Sequence, residues 1–449
     1  MRVAVVGAGI AGLAAAHELL VRGATPIVFD ADTRAGGKLR TEPFGGVALD
    51  TAPDSFLARR PEAVQLCTEL GLRDRLEAPA ATHAYVYARG RLRRLPAGLV
   101  LGVPTDPVAT ARAGILSRWG AARAALEPFL PGAPLGEDEA LGAVIRRRYG
   151  NEVTERLVDP LLGGINAGDV DRLSIDTVAP QIAAAARRHR SLTRALRAAA
   201  PAGPPVTDPV FLTLPGGLEG LVDALTASIT ERGGEIRSGD PVSAVTADAV
   251  TSRSGRHDVD GVVLATPAHV TAPLLDPLAP GVASTLAAIP YASVAMALLA
   301  YDTDRALDGS GYLVPRRDGL LMTAASWASS KWRHLAQPGR ALLRVSAGRH
   351  GDERAMHLDD DDLVARLRAD LAVTMDLHDE PAEARVVRWP QAFPQYAPGH
   401  RERMAAAVTD LAAAVPAVAL AGAALDGVGI PACIGSGRTA ARSILDAIG

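Results

Sequence analysis

Three glycines, Gly7, Gly9 and Gly12, follow the apolar run VAVV and open the helical pattern AGLAAAHELLVRG. Glycine at this spacing lets the chain turn tightly, brings backbone close to a pyrophosphate, and lets the following helix pack on the strand. Ala8, Ile10 and Ala11 lie between them, at a helix start whose N–H groups favour an anion. Asp30 ends the next strand pattern, TPIVFD, with Ala31 after it. A carboxylate there can accept hydrogen bonds from ribose hydroxyls, so the stretch predicts a dinucleotide site. In DTRAGGKLRT the pair Gly36 and Gly37 precedes Lys38. Two glycines let backbone pass beneath a cofactor, and the cation can offset phosphate charge. A further candidate is APDSFLARRP, where Ala52, Pro53, Asp54 and Ser55 precede Phe56, Leu57, Arg59 and Arg60. That mixture is too polar for a core and too apolar for a linker.

These residues need a βαβ frame to position them, and residues 1–30 read as strand, turn, helix and strand. At 449 residues and 48% hydrophobic content, the chain should divide into two or three units. AYVYARG and RLRRLPAG read as a hairpin, and residues 107–200 have helical periodicity. FLTLPGGLEGLVDALTASITERGGEIRSG then reads as a glycine turn, helix and strand. ASVAMALLAYD, GYLVPRR, LLMTAASW and ALLRVSAG suggest a second sheet. AVALAGAALDGVGIPACIGSGRTAARSIL closes the chain as strand, glycine turn and helix.

A net charge of −3 gives no bulk reason to bind nucleic acid. Cys67 and Cys433 lie far apart without a Cys-x-x-Cys or clustered histidines, so neither a disulfide framework nor a metal site is expected. The compartment is expected to be reducing and cytoplasmic. The run DDDD at 359–362 reads as the acidic start of a helix. The most apolar late stretch is interrupted by Pro416 and Asp426, which predicts no transmembrane span. The basic runs RRRYG and ARRHRSLTRALRAA read as solvated helix faces, with peripheral contact to an anionic membrane left open.

The second glycine pair resembles that of flavoprotein oxidases and desaturases, which makes FAD the expected dinucleotide. Over nearly its whole length the chain resembles the bacterial porphyrinogen oxidases of haem synthesis. The carrying motifs include APDSFLARRP, RLRRLPAGLVLGVPT, DPLLGGINAGDVDRLSI, GSGYLVPR, SSKW, RWPQAFPQYAPGH and GVGIPACIGSG. The resemblance implies an α/β fold with a Rossmann-like FAD-binding domain of the flavin amine oxidase type. This domain is discontinuous over 1–80, 211–282 and 388–449. A mixed-sheet substrate domain is expected over 81–106 and 283–387, and a helical subdomain over 107–210. FAD contacts carry over onto Gly7 to Gly12, Asp30, Ala31, Gly37, Lys38, Ala52 to Ser55, Val242, Trp389, and Val428, Gly429 and Ile430. Ala52 departs from the family's usual glycine, and Asn166 stands where relatives often carry an aromatic residue.

The implied reaction is oxidation of a porphyrinogen to a porphyrin, coproporphyrinogen III first and protoporphyrinogen IX as the alternative, with O2 as acceptor and hydrogen peroxide as product. An amine or polyene oxidase on the same fold and a non-catalytic tetrapyrrole carrier are the other readings. Monoamine oxidases typically carry a lysine on the strand equivalent to ASVAMALLAY and often a flavin-linked cysteine near RWPQAFPQYAPG. Here the corresponding residue is Ala295 and the second stretch has no cysteine, so non-covalent FAD is expected. A porphyrinogen carries carboxylates on an apolar macrocycle, so cations should stand at the cavity edge. Arg60 and Arg59, with Arg93, Arg94 and Lys331, are the candidates, while Ile165 and Asn166 are expected either to line the cavity or to terminate a helix. No general base is assigned. Transient contact with the next haem-pathway enzyme is a further expectation.

Overall fold

The structure is a computed structural model and describes residues 1–130, 134–199 and 209–449. Five parallel strands form the first sheet, in the order Glu235–Arg237, Thr25–Phe29, Arg2–Val6, Gly261–Leu264 and Val418–Leu420. Successive residues of Arg2–Val6 serve opposite faces. Val3 and Val5 pack with Leu13, Leu225 and Ile434, whereas Ala4 and Val6 pack with Val262, Leu275 and Met404. Both faces are covered, which is why these strands read as unbroken apolar runs rather than as alternating ones.

The first helix, Ile10–Val21, packs against the C-terminal helix, Ile430–Ile448. Gly437 makes that approach possible, because a Cβ there would stand 2.0 Å from the Ala11 carbonyl oxygen. The expected second sheet has seven strands, in the order Glu383–Pro394, Tyr291–Asp302, Arg340–Ala347, Met322–Trp327, Gly311–Leu313, Tyr85–Ala88 and Arg91–Arg94. The last two form the antiparallel hairpin expected from the sequence. The acidic run begins the helix Asp360–Met375, with the Asp359 side chain accepting from the Asp362 N–H at 2.8 Å.

Short capped helices fill most of 107–198. Asp106 and Ser117 cap Pro107–Ala113 and Arg118–Ala125 through side-chain oxygens. The expected block extends into 131–133 and 200–208, outside the described residues. The helix expected through VTERLVDPLL is instead a π-helix over Thr154–Gly163, which contains Pro160. Proline lacks an N–H and crowds the preceding turn, and a wider turn accommodates both faults.

Candidate flavin site

The C-terminal ends of Arg2–Val6 and Thr25–Phe29 carry the glycine turn and Asp30, the edge of a parallel sheet where α/β folds bind nucleotides. Gly7 has φ 104°, and its N–H donates to the Phe29 carbonyl at 2.7 Å. A Cβ on Gly12 would stand 1.8 Å from the Gly7 carbonyl oxygen, whereas one on Gly9 would meet nothing within 4 Å. Gly9 thus borders open space at the start of Ile10–Val21. That helix start has neither a side-chain cap nor an acid in its first turn. Its free N–H groups and positive dipole end fit a pyrophosphate.

Asp30 accepts from the Ala8 N–H at 2.5 Å and the Asp32 N–H at 2.8 Å. Burial still raises its pKa. The Asp240 N–H donates to the Asp30 carbonyl at 2.8 Å, which brings the strand Val242–Val245 beside the acid. Gly36 donates its N–H to the Ala8 carbonyl at 2.8 Å, so the second glycine pair lies against the first. Lys38 follows, its pKa lowered by burial, with Cys433 and His269 within its electrostatic reach and no carboxylate partner among the described residues. An ammonium in this state fits an anionic cofactor. The residues present therefore suit a dinucleotide at this end.

At the other end, Trp389 Nε1 donates to the Thr51 carbonyl at 3.3 Å, which ties the strand Glu383–Pro394 to the Ala52–Ser55 segment. Val428 and Gly429 form the turn before Ile430–Ile448, a second helix start without a side-chain cap or first-turn acid. Cys433, one turn in, is buried, and burial pushes its thiol up to about 11.

Asp54 is held from four sides. Lys331 Nζ reaches its two oxygens at 2.9 and 3.0 Å, Trp332 Nε1 donates at 3.1 Å, Ser55 Oγ at 3.0 Å, and Arg344 pairs at 2.8 Å. Arg344 also donates to the Ala52 carbonyl. Burial would raise the Asp54 pKa, but Lys331 and Arg344 override it and hold the carboxyl well below its usual range. Lys331, a candidate for substrate, is thus engaged by Asp54, a carboxylate it shares with Arg344. Arg344, 5% exposed, is the residue that sequence reasoning missed. Its signal is a lone charge inside the apolar strand ALLRVSA, since a buried arginine needs a partner.

Among the other candidates, Arg59 and Arg60 are exposed, and Arg60 lies 3.9 Å from Glu62. Phe56 is buried in the core beneath the first sheet, but Leu57 is exposed. Arg93 donates to the Ala88 carbonyl at 3.0 Å and braces its own hairpin. Arg94 is exposed. Asn166 is buried and donates back to the Leu162 carbonyl at 2.8 Å, with Ala167 left-handed at φ 45°. The short helix Gly164–Asn166 ends at this left-handed residue, while Ile165 is half exposed.

Asp50, beside this cluster, has its pKa raised from 3.8 to about 6, chiefly by burial. Between those values the folded chain binds more protons than the unfolded one, so this group's contribution to stability falls as pH rises through that window. The full effect is about 3 kcal/mol. Thr41 Oγ1 and the Leu218 N–H both donate to Asp50 Oδ1, at 2.6 and 3.0 Å. Asparagine keeps that acceptor, so Asp50→Asn should flatten stability between roughly pH 4 and 6. Urea unfolding at both ends checks this, and an unchanged slope with pH would refute it.

The model of the family described as flavin containing amine oxidoreductase matches residues 10–445. The chain is 34% identical to coproporphyrinogen III oxidase of Bacillus subtilis, over 99% of this chain and 97% of that one. It is 36% identical to coproporphyrinogen III oxidase of Mycobacterium bovis, with the same coverage. A crystal structure from Exiguobacterium, assigned by name to protoporphyrinogen oxidase, superposes with a TM-score of 0.88 at 31% identity, covering 99% of this chain and 98% of that one. With the glycine turn, buried Asp30 and two uncapped helix starts at one end of the parallel sheet, the chain belongs to the flavin-containing amine oxidoreductases.

Proposed function

We propose that the chain oxidises a porphyrinogen to a porphyrin with non-covalently bound FAD, taking coproporphyrinogen III to coproporphyrin III with O2 as acceptor and hydrogen peroxide as product. The observation that carries this reading is similarity along nearly the whole chain to two coproporphyrinogen III oxidases. FAD supplies the two-electron redox chemistry when bound. The protein's part is to bind, orient and shield.

In this reading Gly7 to Gly12 hold the pyrophosphate, Asp30 and Ala31 the ribose, Val242 the adenine, and Gly37 and Lys38 the phosphate side. Ala52 to Ser55, Trp389 and Val428 to Ile430 frame the ring, and Asp54 acts through the cations that fix its segment. Arg59 and Arg60 face solvent beside this frame, a position suited to meeting substrate carboxylates. The first sheet serves the cofactor and the second the substrate, following the divisions 1–80, 211–282 and 388–449 against 81–106 and 283–387. Cys433 is a poor candidate for flavin attachment, because burial suppresses its thiolate. Ala295, fully buried in the sheet, offers no amine where amine oxidases typically carry one.

Anaerobic stopped-flow reduction of the FAD-loaded protein tests the reading. Coproporphyrinogen III should bleach the flavin, and readmitted O2 should restore its colour with release of peroxide. Preference for protoporphyrinogen IX would reassign the substrate. Bleaching by amines alone would overturn the proposal.

A further inference from the structure

Resting on the porphyrinogen reading, we propose that Arg349, with Arg316 beside it, forms an anion site that receives a carboxylate of the substrate. Arg349 follows the strand Arg340–Ala347 and is 8% exposed. Its Nε has no hydrogen-bond partner, and no carboxylate lies within ion-pair distance among the described residues. Arg316 Nε is likewise without a partner, and its Nη2 donates to the Gly168 carbonyl at 3.1 Å.

The acids whose fields reach Arg349 do not cancel the charge of both arginines. Asp352 is engaged by Arg354 through both its oxygens, at 2.8 Å each. Asp159 is buried, and its field is shared between Arg316 and Arg349, so one carboxylate is set against two guanidiniums. Arg316 adds a second positive charge, and Arg172 lies within reach of the neighbouring His350. Two guanidiniums sharing one carboxylate leave an excess positive charge, and burying it is costly, which calls for an anionic ligand.

Position supports the same ligand. Gly348 presses on the strand Tyr291–Asp302, where its Cβ would stand 2.7 Å from the Ser293 carbonyl oxygen. Val294, the next residue, pairs on its other side with Trp389. The chain just before Arg349 therefore lies against the strand whose other neighbour carries Trp389. The adjacent His350 N–H donates to the Ala167 carbonyl at 2.7 Å, and Gln395 Nε2 to the Asn166 carbonyl at 3.0 Å. These contacts and that from Arg316 fasten the Ile165–Gly168 loop against the pair. Two planar forks suit a carboxylate.

The test uses FAD-loaded full-length protein, with flavin content and melting temperature measured first. Arg349→Gln should raise the KM for coproporphyrinogen III about tenfold with kcat nearly unchanged, and Arg316→Gln should do so more weakly. Quenching of tryptophan fluorescence then compares coproporphyrin III with its tetramethyl ester. Wild type should prefer the tetra-acid, and Arg349→Gln should lose that preference. If Arg349→Gln fails to hold flavin, Arg349→Lys replaces it, with an expected KM rise of about threefold, because the charge remains and the fork does not. An active wild type with unchanged KM and acid preference in the variants would overturn this inference alone. A wild type inert toward every porphyrinogen would overturn both it and the proposed function.

Discussion

Gly12→Val should yield a protein that carries less than about a tenth of the wild-type flavin, because the added branch collides with backbone that cannot yield. A Cβ at this position would stand 1.8 Å from the Gly7 carbonyl oxygen. Relief requires moving Ile10–Val21 off Arg2–Val6, and with it the N–H groups that would meet the pyrophosphate. Gly9→Ala makes the contrast, since its Cβ would meet no protein atom within 4 Å. That variant should fold with unchanged melting temperature and still bind FAD more weakly, because the methyl occupies space intended for the cofactor. Absorbance of the flavin after gel filtration and thermal unfolding of the apoprotein read the two effects separately. Full flavin retention by Gly12→Val would refute the close-approach argument.

Asp54→Ala should cost about 3–5 kcal/mol of stability, the usual consequence of removing one partner from a buried charge cluster. Lys331 and Arg344 are 16% and 5% exposed at the side chain, so neither can turn fully to water once the carboxylate is gone. The Ala52 carbonyl would also lose its fixed position, since Arg344 bridges it to Asp54. Flavin affinity should therefore fall together with stability. Denaturant unfolding with and without FAD measures both, and a loss below about 1 kcal/mol would show the cluster to be solvated rather than buried. The pH signature has the opposite sign to that of Asp50. The folded-state pKa of Asp54 is depressed, so its contribution is complete above the unfolded value of 3.8 and is lost as pH falls below it. Asp54→Ala should remove that acid-side loss and, because the Asp54 charge helps raise the Asp50 pKa, also shrink the pH 4–6 slope due to Asp50.

The parallel sheet and glycine turn were legible because their determinants are local. Glycine spacing, a continuous apolar strand and a terminal acid all fall within thirty residues. The hairpin at Tyr85–Arg94 and the acidic start of Asp360–Met375 were legible for the same reason. The charge cluster was not, because Asp54 meets Lys331 and Arg344 across more than 270 residues. A lysine in an arginine-rich chain stands out as a cation without showing its counter-ion. The π-helix was hidden because the apolar pattern of VTERLVDPLL still suits a helix, and Pro160 changes only its winding. Arg349 and Arg316 escaped notice because an incompletely paired guanidinium is defined by what its surroundings lack, which no spacing of residue types reveals.

The strand Arg340–Ala347 works as a caliper. Arg344 grips the Ala52–Ser55 segment from within the sheet, and the chain just beyond the same strand delivers Arg349. The register against Tyr291–Asp302 sets both, through Leu298 opposite Arg344 and Ala295 opposite Ala347. Where the chain presents each arginine is therefore a property of backbone pairing rather than of either side chain. Because side chains alternate across a sheet, a slip of one residue would turn Arg344 to the opposite face and carry Arg349 along with it. A change of substrate at the proposed site would thus proceed more readily through the loops around Arg349 than through the strand that positions it.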